Sequence, residues 1–172
     1  LTDPPTLPGG DSCPFGLGGF LLSGRAWQVR IPKGSPIHGQ DVANNVLEFL
    51  ALLVNVWLMI LESDADKKQH ECLLSLGDNT SALGWVHRAS KIKPSSIYFA
   101  AVQLIARKLA LLLINSSHCL ATQHQKGEAN TVADWLSYSG STRGEPHPLA
   151  PDDPDNETLT NRFHRFVPQL IP

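Results

Sequence analysis

Four carboxylates, Asp11, Glu48, Asp78 and Asp134, stand in four different local settings along the chain. A pair of divalent ions about 3.5–4 Å apart, of the kind that cleaves phosphodiesters, needs several hard oxygen ligands converging from separate elements, with substrate phosphates completing the coordination. Each acid alone also has a plainer reading. Asp11, in Gly9-Gly10-Asp11-Ser12, suits a turn, yet the Gly16-Leu17-Gly18-Gly19-Phe20 that follows is a strand broken by glycines, where missing side chains let another backbone or a ligand approach. Glu48 follows Asn45 at the spacing of a capping box, but an ionised carboxylate one turn into an otherwise apolar helix is costly to bury unless paired or metal-bound. Asp78 closes a strand and precedes a helix, a capping position and also the place where side chains of open α/β sheets converge on ligands. Asp134 sits near the start of a helix, where a negative charge suits the dipole. His124 begins the loop His124-Gln125-Lys126-Gly127-Glu128-Ala129-Asn130 that leads into that helix, where it is either solvated or an aid to proton transfer and product release.

The elements that must carry these residues follow from periodicity and punctuation. Leu17–Leu22 and Ala26–Ile31, separated by Ser23-Gly24-Arg25, read as a β-hairpin. From Val46 to Leu61 only Glu48 and Asn55 interrupt an apolar run, too long for an ordinary strand and short of a bilayer span, so a buried helix is expected. Cys72–Leu76 reads as a strand feeding a helix over Thr80–Arg88. Pro94-Ser95-Ser96 opens a longer helix to about Asn115, with Gln103, Arg107 and Lys108 on its wetter face and Ile97, Ala101, Leu104, Ile105 and Leu112 inward. Cys119–Gln123 suggests a further strand and Asn130–Ser137 a last helix. Hairpin, helix, strand, two helices, strand and helix predict an α/β domain with a sheet of mixed direction.

At 172 residues, 42% of them apolar and 17% charged, the chain suits one domain. Residues 1–10 read as a lead, 11–138 as the domain, and 139–172, rich in proline and carrying Asp152-Asp153-Pro154-Asp155, as an extension or linker in which only Glu157–Val167 has a helical pattern, with Phe163, Phe166 and Val167 available for docking. A net charge of −2 excludes a global positive field, so any nucleic-acid binding must be local or aided by a partner. Cys13, Cys72 and Cys119 are odd in number and widely separated, which speaks against a disulfide framework or structural zinc and for a reducing compartment. The sequons at Asn79, Asn115 and Asn156 are read as chance. With Met59 its only methionine and Leu1 its first residue, the chain is expected to be a piece of a polyprotein.

Taken together, Asp11 with its glycine-broken strand, Val46-Leu47-Glu48-Phe49-Leu50-Ala51, Asp78-Asn79-Thr80-Ser81-Ala82, and His124 through Ala133-Asp134-Trp135-Leu136-Ser137 resemble, in order and spacing, the ribonuclease H domain of retrotransposon reverse transcriptases. The resemblance implies a ribonuclease H-like α/β fold, a five-stranded mixed sheet flanked by helices. It also implies two Mg²⁺ ions, with Mn²⁺ able to substitute, held by Asp11, Glu48, Asp78 and Asp134, and a turnover role for His124. The implied activity is endonucleolytic cutting of the RNA strand of an RNA–DNA hybrid during reverse transcription. Asn79, Ser81 and Asn130 are the expected polar contacts to substrate, and Arg88, Lys91, Lys93 and Lys126 the candidates for phosphate contacts.

The chain departs from compact family members in a longer gap between Glu48 and Asp78, assigned to a loop over Glu62-Ser63-Asp64-Ala65-Asp66-Lys67-Lys68, and in having only Ala89–Ser95 where some members carry a basic helical handle. An upstream reverse transcriptase polymerase domain of the same polyprotein is therefore the expected partner in gripping the hybrid. The expected location is a cytoplasmic retroelement particle or the nucleus, with no membrane partner. The alternative reading is a non-catalytic ribonuclease H-like module that connects domains or holds nucleic acid, and a third is a transposase or integrase of the same fold. The four costly acids favour the enzyme over a connector.

Overall fold

The computed structural model describes residues 8–35, 37–40, 44–67, 70–89, 92–126, 130, 133, 136 and 137. Its elements are β1 (Gly9–Cys13), β2 (Gly16–Phe20), β3 (Ala26–Arg30), α1 (Asn44–Ala65), β4 (Cys72–Gly77), α2 (Thr80–Arg88), α3 (Phe99–Ser116) and β5 (Cys119–His124). They form an α/β structure around one five-stranded sheet of order β3-β2-β1-β4-β5. The β1–β2 and β2–β3 pairs are antiparallel, whereas β1–β4 and β4–β5 are parallel. The expected hairpin is β2–β3, in register from Gly16 opposite Arg30 to Phe20 opposite Ala26.

β1 corrects the sequence reading. Gly9 and Gly10, assigned to a lead, are the first residues of the central strand, and all five residues of β1 are buried. The strand has no apolar alternation because its faces are covered at close range. A Cβ on Gly10 would lie 3.3 Å from the carbonyl oxygen of Ala51, so α1 packs directly on the β1 backbone.

α1 is apolar nearly all round because it is covered nearly all round. It lies on β1, β2 and β4 and is overlaid by α2 and α3. Phe49, Leu47, Leu50 and Val56 have almost no exposure, and burying each such side chain contributes roughly 1.5–3 kcal/mol. The polar interruption Asn55 accepts a 2.9 Å hydrogen bond from Trp27 Nε1, so neither buried group pays the full cost of lost water. The helix runs on to Ala65, so Glu62–Ala65 is helical and not the loop assigned to it; Ser23 and Ser63 hydrogen-bond around this end, to Glu62 and Glu71. Both α1 and α3 are long and apolar enough to cross a bilayer by length and composition, but α1 is mostly buried within the fold, the setting of a core helix.

α2 has the expected bounds, whereas α3 begins at Phe99, later than expected, because Pro94 to Tyr98 forms turns. Ala101, Val102, Ile105 and Leu109 are its buried stripe. Leu104 and Leu112 are half-buried as expected, Arg107 and Lys108 are exposed, and Gln103 is half-buried, donating to the Ala89 carbonyl. Ile97, expected inward, is 65% exposed because it precedes the helix.

The opposite face of the sheet carries a smaller cluster of Phe20, Ala26, Ala133 and Leu136. A Cβ on Gly18 would lie 2.4 Å from Leu136 Cβ, so the glycine-broken strand admits another stretch of chain, the backbone at Leu136 and Ser137. Cys13 Sγ, 3.2 Å from the Ser137 carbonyl, fastens the same segment. Ala133, Leu136 and Ser137 are helical, as expected of the last helix. Asp134, Lys91 and the Glu157–Val167 pattern lie outside the described residues.

Candidate metal centre

The parallel pairing of β1 with β4 sets Gly9 beside Leu76. Two residues further along each chain come Asp11 and Asp78, which brings these acids to the same end of the sheet. Glu48 approaches from the second turn of α1, on the helix that Gly10 allows to lie close. One oxygen from each of Asp11, Glu48 and Asp78 can be chosen so that all three lie within 4.8 Å of one another, a group that could hold a metal ion. Asp11 and Glu48 are buried and Asp78 is half-buried.

Convergence of three acids has an electrostatic consequence. Burial pushes the Glu48 carboxyl up to about 10, aided by the charge of Asp11, a hydrogen bond shared with Asp11, and the charge of Asp78. The Ser12 hydrogen bonds oppose this shift. Ser12 donates its amide to Glu48 Oε1 at 3.0 Å and its hydroxyl to the same oxygen at 2.8 Å, while its amide also reaches Asp11 Oδ1 at 2.8 Å. Protein donors thus fix the carboxylates without neutralising them, and a divalent cation is the kind of group that would release the Glu48 proton.

The capping roles differ from those expected. Asn79, not Asp78, caps α2, accepting from the Ala82 amide at 2.9 Å. Its amide nitrogen donates to Asn45 Oδ1 at 2.8 Å, so Asn45 lies within α1 and ties it to the start of α2. The Asn45–Glu48 capping box does not describe this helix start, because Glu48 turns toward Ser12 and Asp11.

His124 is the last residue of β5, not a loop residue, and pairs in register with Gly77. Its Nε2 lies 3.1 Å from the Asp78 carbonyl, and an N–H there donates to that oxygen. The ring is exposed beside the cluster. Asn130 is buried, with Nδ2 3.5 Å from the Gly10 carbonyl and Oδ1 lacking a hydrogen-bond partner among the described residues.

Other candidate contacts are more dispersed. Ser81 is exposed in the first turn of α2, and Lys126 is exposed just beyond β5. Arg88 is exposed at the far end of α2, about 12 Å along the helix from its first residue. Lys93 is exposed between α2 and α3.

The residue that the sequence did not reveal is Ser12. Its only signal is adjacency to Asp11, since the partner it holds is 36 positions away. Comparison with known proteins finds no matching family model, no matching curated protein and no matching solved structure. Fold and site together define an α/β protein with a five-stranded mixed sheet, at one end of which three carboxylates could hold a metal ion.

Proposed function

We propose that the chain is a ribonuclease H-type endonuclease that cleaves the RNA strand of RNA–DNA hybrids, using divalent cations, Mg²⁺ or in its place Mn²⁺, during reverse transcription of a retroelement. The observation that carries this reading is the convergence of Asp11, Glu48 and Asp78 from β1, α1 and the end of β4, with Glu48 driven to hold a proton in the absence of a cation. The five-stranded mixed sheet agrees with the fold that the sequence resemblance implies.

In this reading Asp11, Glu48 and Asp78 hold a cation, with Asp134 completing a second site. The chemistry such ions supply is a lowered pKa for the attacking water and stabilisation of charge on phosphorus and the leaving oxygen. Ser12 orients Glu48 and favours its ionised form. His124, whose Nε2 is held against the Asp78 carbonyl, would transfer a proton to or from a departing product. Ser81, Asn79, Asn130, Arg88, Lys91, Lys93 and Lys126 are the candidate contacts to the hybrid, and the upstream polymerase domain supplies the remaining grip.

The test is incubation of the purified chain with a labelled RNA–DNA hybrid in Mg²⁺ or Mn²⁺, beside duplex DNA and single-stranded RNA. RNA cleavage confined to the hybrid, and lost with chelator, is expected. No cleavage, even with the polymerase domain attached, would turn the reading to a non-catalytic module.

A further inference from the structure

Cys72 and Cys119, remote in sequence, are direct partners on the parallel strands β4 and β5. Neighbouring strands lie about 4.8 Å apart, within the roughly 4.4–6.8 Å separation of Cα atoms that a disulfide spans. Residues paired in register project to the same face, so the two thiols face each other. Both cysteines are reduced and exposed, and β5 is an edge strand of the sheet. The pair sits where the strands begin, and Asp78 and His124 lie at the other end.

We propose that Cys72 and Cys119 form a redox modification site, a cross-strand dithiol at the solvent edge of the sheet that a small-molecule disulfide closes into an intramolecular disulfide. The site is independent of the carboxylate cluster. A hydrogen bond to Cys119 is the leading reason that the Cys72 thiol keeps its proton above the usual range, so the two sulfurs lie within reach of each other and either thiol can open the exchange. When Cys119 is first, it loses its proton, and its sulfur attacks one sulfur of the small disulfide. The bond between the two small-molecule sulfurs breaks, and one small thiol departs with a proton. Cys72 then loses its proton and attacks the Cys119 sulfur of the mixed disulfide, releasing the second thiol. Two electrons leave the protein pair, and the small disulfide is reduced to two thiols. Exposed bonds of this kind are the readily reversed ones. The third cysteine is an internal control: Cys13 is buried, its Sγ engaged by the Phe15 amide and the Ser137 carbonyl.

The test treats the reduced full chain with oxidised glutathione in native buffer, alkylates the remaining thiols in denaturant, and maps the products by mass. One Cys72–Cys119 link per chain is expected, with Cys13 alkylated and the link reversed by dithiothreitol. In Cys72→Ser the resolving thiol is missing, and glutathione is expected to accumulate on Cys119. Oxidation in denaturant is expected to give mixed pairings that include Cys13. Persistent glutathione on both cysteines of the native chain, links between chains, or thiols left unmodified would each overturn the proposal.

Discussion

Ser12 delivers two hydrogen bonds to one oxygen of Glu48, from its amide at 3.0 Å and its hydroxyl at 2.8 Å. The strand that carries Asp11 thereby also aims the helix-borne acid. Because these bonds favour the ionised carboxylate, Ser12→Ala is expected to raise the Glu48 proton affinity further and to weaken cation binding near neutral pH. Loss of such a supporting contact typically costs about 10–100-fold in metal affinity. Calorimetric titration of Mg²⁺ or Mn²⁺ into the variant checks this, and unchanged affinity would remove Ser12 from the site.

Asp78→Asn is expected to abolish hybrid cleavage while leaving the fold intact, since Asp78 is half-buried and Asn79 carries the α2 cap. Charge stabilisation by a bound cation is worth several kcal/mol, so the loss should reach about a hundredfold or more. Cleavage at the original rate with unaltered circular dichroism would contradict the assignment.

Glu48 makes stability depend on pH in a defined direction. Its carboxyl rises from 4.5 to about 10 on folding, so between these values the folded, cation-free chain retains a proton that the unfolded chain has lost. The corresponding stabilisation is full below about 4.5 and is lost as pH rises through about 10. Thermal unfolding in chelator should show stability falling from about pH 5 to pH 9, and Glu48→Gln should flatten that slope. Cation affinity should rise over the same interval, because binding must expel the proton.

Gly18→Ala places a methyl 2.4 Å from Leu136 Cβ, with backbone atoms of Leu136 and Ser137 close behind. Overpacking of this kind costs about 1–3 kcal/mol, and Leu136 and Ser137 must move away from β2. A lowered unfolding midpoint is expected, with a fall in cleavage even at temperatures where the variant is folded. A variant as stable as the parent would show that the segment yields at no cost.

What the sequence disclosed and what it concealed divide along physical lines. α1 was legible because a run apolar on every side has few homes except a buried helix, and α2 because Asp78-Asn79-Thr80 punctuates a strand-to-helix turn. β1 was not, since Gly9, Gly10, Asp11 and Ser12 carry no apolar alternation; they form a strand paired with β2 and β4 because Ala51 of α1 closes on Gly10 and Asn130 on Gly9. Ile97 matched the helical period but precedes the first turn of α3. The gathering of Asp11, Glu48 and Asp78 was expected from their separate local settings and from the family resemblance, whereas the Ser12–Glu48 contact depends on how α1 lies on β1 and the facing of Cys72 with Cys119 on strand register, neither of which a local signal encodes.

The pairing of Gly9 with Leu76 also bears on the order of events in folding. β2, β3 and α1 are all strung between these partners, so β1 and β4 meet only after a long stretch of chain has been drawn in, a slow class of contact. The three acids are therefore expected to come together late in folding. A cation held there would then act on the finished molecule, slowing escape from the native state with little effect on how fast that state is reached.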